Sequence, residues 1–188
     1  YYLYNINLNS NANKYYTQSI SEYDKWNLEN SLKLINEAIK INSQNSSYYN
    51  NKWILLMNLW EYNDAVINFD HAIKVNKNDS LAYNNKIHLL MNQWKYEDAI
   101  NTSNLLLSTD PNNIEMLFVL SNLYYIQKEY KNSNNVLNKI LVINNDNTTA
   151  LINKWYNLLQ LEDYDKAITI YETLDTLLPS QWVWLFYK

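Results

Sequence analysis

Residues 80–113 read SLAYNNKIHLLMNQWKYEDAINTSNLLLSTDPNN, and the punctuation of this stretch decides the fold. Ala82-Tyr83-Asn84-Asn85-Lys86 opens one patterned run, and Lys95-Tyr96-Glu97-Asp98-Ala99-Ile100 opens a second. The stretch closes on Asp110-Pro111-Asn112-Asn113, turn and N-cap residues of the kind that stop one helix and start the next. Working outward from Ala99, small residues recur at Ser31, Ala65, Ser133 and Ala167, each step being 34 residues. Three positions before them stand Leu28, Tyr62, Tyr96, Tyr130 and Tyr164, and seven positions after them stand Ala38, Ala72, Leu106, Ile140 and Leu174. Ser43, Lys77, Pro111, Asn145 and Pro179 follow twelve positions after the small residue. A register kept five times without an insertion marks an internal repeat.

Inside each unit the apolar spacing is helical. Ala65, Phe69, Ala72 and Ile73 share one face, and Tyr49, Trp53, Leu56 and Trp60 form a second stripe at i, i+4, i+7, i+11. The segments 76–79, 110–113 and 144–147 are loops rich in Asn and Asp. Each unit therefore reads as a pair of antiparallel helices.

The period and these residues resemble the tetratricopeptide repeat; Tyr124-Tyr125, Tyr130 and Tyr164-Asp165-Lys166-Ala167-Ile168 fit as well. The resemblance implies an all-α fold, a right-handed α-solenoid of antiparallel helix pairs. Its units are expected at 12–45, 46–79, 80–113, 114–147 and 148–181. Residues 1–11 are expected to be the end of a preceding repeat or an irregular lead-in, because Ile6-Asn7-Leu8-Asn9-Ser10-Asn11 echoes 39–44. Residues 182–188 echo the start of a further helix, so the chain reads as a fragment of a longer array.

Composition excludes several chemistries. The 188 residues carry a net charge of −4 and 47% hydrophobic residues, enough for a sizeable core. Gly, Cys and Arg are all absent, while Asn reaches 34 and Tyr 18. Without Gly there is no phosphate-cradling loop or dinucleotide fingerprint. Without Cys there is no disulfide framework, thiolate metal site or cysteine nucleophile. Mild acidity argues against a general nucleic-acid binder, and no apolar run is long enough for a membrane span. His71 and His88 lack a third ligand at metal spacing. Carboxylates such as Glu61 with Asp64 sit at helix starts, where they favour the dipole rather than acid–base work. No catalytic residue, metal or cofactor is assigned. Sequons at Asn45, Asn78, Asn101 and Asn147 match the chance expectation of about four for this Asn content, so they do not signal secretion. The cytoplasm is the default expectation for location, and the sequence leaves the oligomeric state open.

Tetratricopeptide units favour a small residue, often Gly, at the eighth position and another Gly at the fifteenth. Here the eighth positions are Ser19, Trp53, Ile87, Ser121 and Trp155, and the fifteenth are Trp26, Trp60, Trp94, Lys128 and Glu162. Two readings stand. Either the repeats splay and the indoles fill the gaps, or Trp has replaced an ancestral Gly through engineering or an altered genetic code.

The resemblance implies that first helices line a concave groove at the second, fifth, sixth, ninth, twelfth and thirteenth positions. Carried over residue by residue, the groove set is Asn50, Asn51, Ile54 and Met57; then Asn84, Asn85, His88 and Met91; then Phe118, Asn122 and Tyr125; and Asn153. Amides offer donor and acceptor to a peptide backbone, and Met and aromatic groups offer adaptable apolar contact. A carboxylate clamp is disfavoured because Arg is absent. Lys52, Lys86 and Lys154, at the seventh position, read as structural. Asn68 and Lys139 are expected on the outer face of the second helices. The function expected is a non-catalytic scaffold that binds a protein or peptide in the groove. The alternative is a regulatory or substrate-positioning segment of a larger enzyme.

Overall fold

The computed structural model describes residues 2–178. Among them are ten helices and no strand: α1 (Tyr2–Asp24), α2 (Leu28–Ile41), α3 (Ser46–Asn58), α4 (Tyr62–Val75), α5 (Ser80–Asn92), α6 (Tyr96–Thr109), α7 (Ile114–Ile126), α8 (Tyr130–Ile143), α9 (Thr148–Gln160) and α10 (Tyr164–Leu177). The chain divides into two units, residues 1–94 with α1–α5 and residues 95–188 with α6–α10. In the first, α1 packs on α2, α2 on α3, α3 on α4 and α4 on α5; in the second, α6 packs on α7, α7 on α8, α8 on α9 and α9 on α10.

The small residues that set the period are what let the helix pairs within each unit close. Ser31, Ala65, Ala99, Ser133 and Ala167 are all buried, as are Ala38, Ala72, Leu106, Ile140 and Leu174 seven residues further on. A larger side chain at a contact this tight would overpack it, at roughly 1–3 kcal/mol. The entry to each first helix from α3 onward in odd-numbered order is a side-chain cap, as the loop residues imply. Asn45 accepts from the Ser47 N–H at 3.0 Å, Asp79 from Ala82 at 3.1 Å, Asn113 from Met116 at 2.9 Å and Asn147 from Ala150 at 3.0 Å. Each such cap contributes about 1 kcal/mol.

The turn inside each pair is a different device. After α3, the Trp60 N–H bonds the Met57 carbonyl at 3.1 Å and the Glu61 N–H reaches back to Leu56 at 2.8 Å. This is a Schellman motif, whose C′ residue is left-handed. The same pair of bonds closes α1, α7 and α9. The C′ residues Trp26, Trp60, Trp94, Lys128 and Glu162 have φ between 58° and 64°.

Residues 2–11 are continuous with 12–24 in the single 23-residue helix α1. Three expectations are corrected by the structure. Trp60 does not extend the stripe of Tyr49, Trp53 and Leu56, because α3 ends at Asn58 and the left-handed turn points its indole to solvent at 78% exposure. Trp26 and Trp94 are likewise 76% and 79% exposed, so these indoles fill no gap between repeats. Asn68 is buried and donates to the Asp64 carbonyl at 2.7 Å, whereas Lys139 is exposed as expected. The further helix expected at 182–188 and the final residues of the fifth unit lie outside the described residues.

Candidate functional site

Asn residues on the first helices of the first unit already have partners in the same unit. Asn51 donates to the Tyr16 hydroxyl at 2.8 Å, Asn58 to the Tyr23 hydroxyl at 3.3 Å, and the Tyr48 hydroxyl donates to Asn13 at 2.6 Å. These bonds tie α3 to α1 one repeat earlier. Asn50 donates to Asp79, the N-cap of α5, at 3.1 Å. Much of the amide ladder thus works between repeats as well as facing outward.

Two cavities open on first-helix faces at one and the same register. The first, of about 280 Å³, lies in the first unit and is lined by Ser19, Ile20, Tyr23, Asp24, Ser31, Asn51, Ile54 and Leu55. The second, of about 250 Å³, lies in the second unit and is lined by Ser121, Asn122, Tyr125, Ser133, Asn153, Tyr156 and Asn157. Seven of those residues correspond across three repeats, from Ser19 with Ser121 to Leu55 with Asn157. Both form where the eighth position is Ser, whose small side chain leaves the space. The serines then close on each other: the Ser19 and Ser31 hydroxyls are 3.0 Å apart and Ser31 donates to the Ser19 carbonyl at 2.7 Å, while Ser133 donates to the Ser121 carbonyl at 2.8 Å.

Of the twelve predicted groove residues, Asn51 and Ile54 come together at the first cavity, and Asn122, Tyr125 and Asn153 at the second. Asn50, Met57, Asn84, Asn85, His88, Met91 and Phe118 lie on α3, α5 and α7 and line neither. Sequence reasoning missed Asn157 and its neighbour Asn134. The signal was a break in the apolar register: Asn157 stands where three other repeats carry Leu55, Leu89 and Leu123, and Asn134 where the others carry Leu32, Val66, Ile100 and Ile168.

A third cleft, between α2, α3 and α4, holds Lys52, Glu61, Asp64 and His71. Burial pushes the Lys52 ammonium below its usual range, with Asp64 and Glu61 opposing the shift. Its repeat equivalents explain it as a strut. Lys86 pairs with Asp70 at 2.6 Å, and Lys154 is also lowered, by burial and then by Lys166. The His71 ring stacks on Tyr49 at 5.7 Å. Among the described residues no group of three or more His, Cys, Asp or Glu could hold a metal ion, and no helix is long and apolar enough to cross a membrane.

Helix pairs of fixed length, repeated in register, define the all-α helical-repeat solenoid class. The comparisons with known proteins agree. Residues 92–174 match the family described as anaphase-promoting complex, cyclosome, subunit 3. No curated protein sequence matches the chain. Among solved structures, a tetratricopeptide repeat protein from Parabacteroides merdae superposes with a TM-score of 0.71 at 20% identity, over 93% of this chain and 69% of its own. MamA from Desulfovibrio magneticus gives 0.65 at 18% identity, over 91% and 97%. YrrB, described as a tetratricopeptide repeat protein with an unusual peptide-binding site, gives 0.64 at 13% identity, over 91% and 88%. The chain has the fold of tetratricopeptide-repeat proteins.

Proposed function

We propose that this chain is a non-catalytic scaffold that binds a peptide or an extended protein segment on its first-helix faces. The observation that carries the reading is the pair of cavities at one register, each walled by a Tyr and an Asn that also belong to the groove positions of the repeat. Each is large enough for a side chain and too small for a folded partner. Similar solved structures include one described as having a peptide-binding site, which supports the same reading. Amides at the rims hold a peptide backbone, and the cavities take its side chains.

The test is selection of binders from a displayed library of random peptides, followed by hydrogen exchange on the complex. Added protection is expected on α3, α7 and α9. Protection confined to α4, α6 and α8 would place the binding surface on the second helices and overturn the assignment.

A further inference from the structure

We infer that the cavity over α7, α8 and α9 is a specificity pocket for a neutral side chain ending in an N–H or O–H donor. The inference rests on the peptide-binding reading above and gives it a chemistry. Asn157 is only 1% exposed. Its amide N–H groups bond the Ser133 hydroxyl at 2.8 Å and the Asn134 side-chain Oδ1 at 2.9 Å. Ser133 has one hydrogen, already committed to the Ser121 carbonyl, so it can only accept from Asn157, and this fixes the amide's orientation. The Asn157 Oδ1 is then left buried without a donor, on a side chain that lines the cavity. An unmet buried acceptor is costly, and in three other repeats Leu holds the position. A ligand donor placed in this cavity satisfies the oxygen. No charged side chain lines the cavity, so a neutral amide or hydroxyl fits and an ammonium would enter unneutralised.

Peptides selected from the random library on the wild-type chain would be compared with those selected on Asn157→Leu/Asn134→Ile, which restores the aliphatic pair of the other repeats. Wild type is expected to enrich Asn, Gln, Ser or Thr at one peptide position. Exchanging that residue for its apolar near-isostere, Asn for Leu or Thr for Val, is expected to weaken binding about tenfold or more. The double variant is expected to reverse the preference at that position and keep the rest of the motif. The same motif from both proteins, or no loss on the isosteric exchange, overturns the pocket and leaves the scaffold reading intact. Failure of the wild-type protein to select any peptide overturns the scaffold reading and the pocket with it, and failure of the double variant alone overturns the pocket's separation from the rest of the binding surface.

A separate observation carries a second inference: the protein made in its source organism has Gly at positions 26, 53, 60, 94 and 155, its decoding apparatus reading as Gly the codon written here as Trp. All five Trp among the described residues fall on two of the 34 register positions. At one of these, φ is near +60° in every repeat, a conformation that favours Gly because a Cβ there meets the carbonyl oxygen. At the other, Ser19, Ile87 and Ser121 are buried whereas Trp53 and Trp155 are only partly buried. The chain contains no Gly at all. Peptide mass spectrometry on the natural protein is expected to show each of these positions lighter by the fixed Trp-to-Gly difference. Trp at positions 53, 60 and 94 in the natural product overturns the inference.

Discussion

The cavity over α1–α3 and the cavity over α7–α9 share their walls and differ in their floors. Serine pairs, a Tyr and an Asn recur at matching places in both. Leu55, Ile54 and Ile20 make the first more apolar, with Asp24 also on its lining; Asn157, Tyr156 and Asn122 make the second more polar and leave it without a charged side chain. One backbone thus supports two kinds of side-chain site, and chemistry is set by single positions whose neighbours change with them. Asn157 and Asn134 are polar together, and Leu55 and Leu32 apolar together.

The strongest way to break this comparison is to move one half of a pair. Leu55→Asn puts an amide beside Leu32, with Ser31 already bonded to Ser19. It is expected to lower stability by roughly 2–4 kcal/mol, read by urea denaturation. Adding Leu32→Asn is expected to return about 1 kcal/mol or more of that loss. The reciprocal change is smaller. Asn157→Leu leaves Asn134 buried and short of a donor, at about 1–3 kcal/mol, while Asn157→Leu/Asn134→Ile is expected to be near neutral. Equal costs for the single and double variants would show that the two amides are not coupled.

The turns beside the two cavities sharpen the comparison differently. Trp26 follows α1 and Lys128 follows α7, with φ of 59° and 61°. Trp26→Gly and Lys128→Gly are each expected to stabilise by about 1 kcal/mol, because the relief comes from the shared left-handed backbone. A larger gain at position 26 in thermal melts would assign the excess to the indole.

The smallest expected effect is in alkali. Burial raises the Tyr48, Tyr49 and Tyr83 hydroxyls above their ordinary value of 10.0. Their stabilising contribution is whole below pH 10 and is lost as pH climbs through the raised folded values, since the unfolded chain ionises first. Lys52 acts with opposite sign, its burial penalty being relieved as pH rises toward 10.5. Tyr83→Phe is expected to make the loss of stability above about pH 10 shallower, as followed by urea denaturation across that range.

The repeat, the caps and the helix pairs were legible because each depends on residues close in sequence. Asn113 and Asn147 could be read as caps from their place alone. The cavities were less legible, since each needs three helices and an eighth residue small enough to leave a hole. Asn51 was expected on the groove face from its position, but its bond to Tyr16 depends on the neighbouring repeat. Asn157 was overlooked because it lies one step from the groove positions, where a buried Leu is the rule.

Packing in each unit runs mainly from one helix to the next in sequence. That locality has a kinetic consequence. Few contacts require closing a long loop, so the entropy lost before the first stabilising contact is small. Chains with such low contact order fold in about microseconds to milliseconds. A helix pair can therefore form as soon as its own residues have been synthesised, before the rest of the array exists.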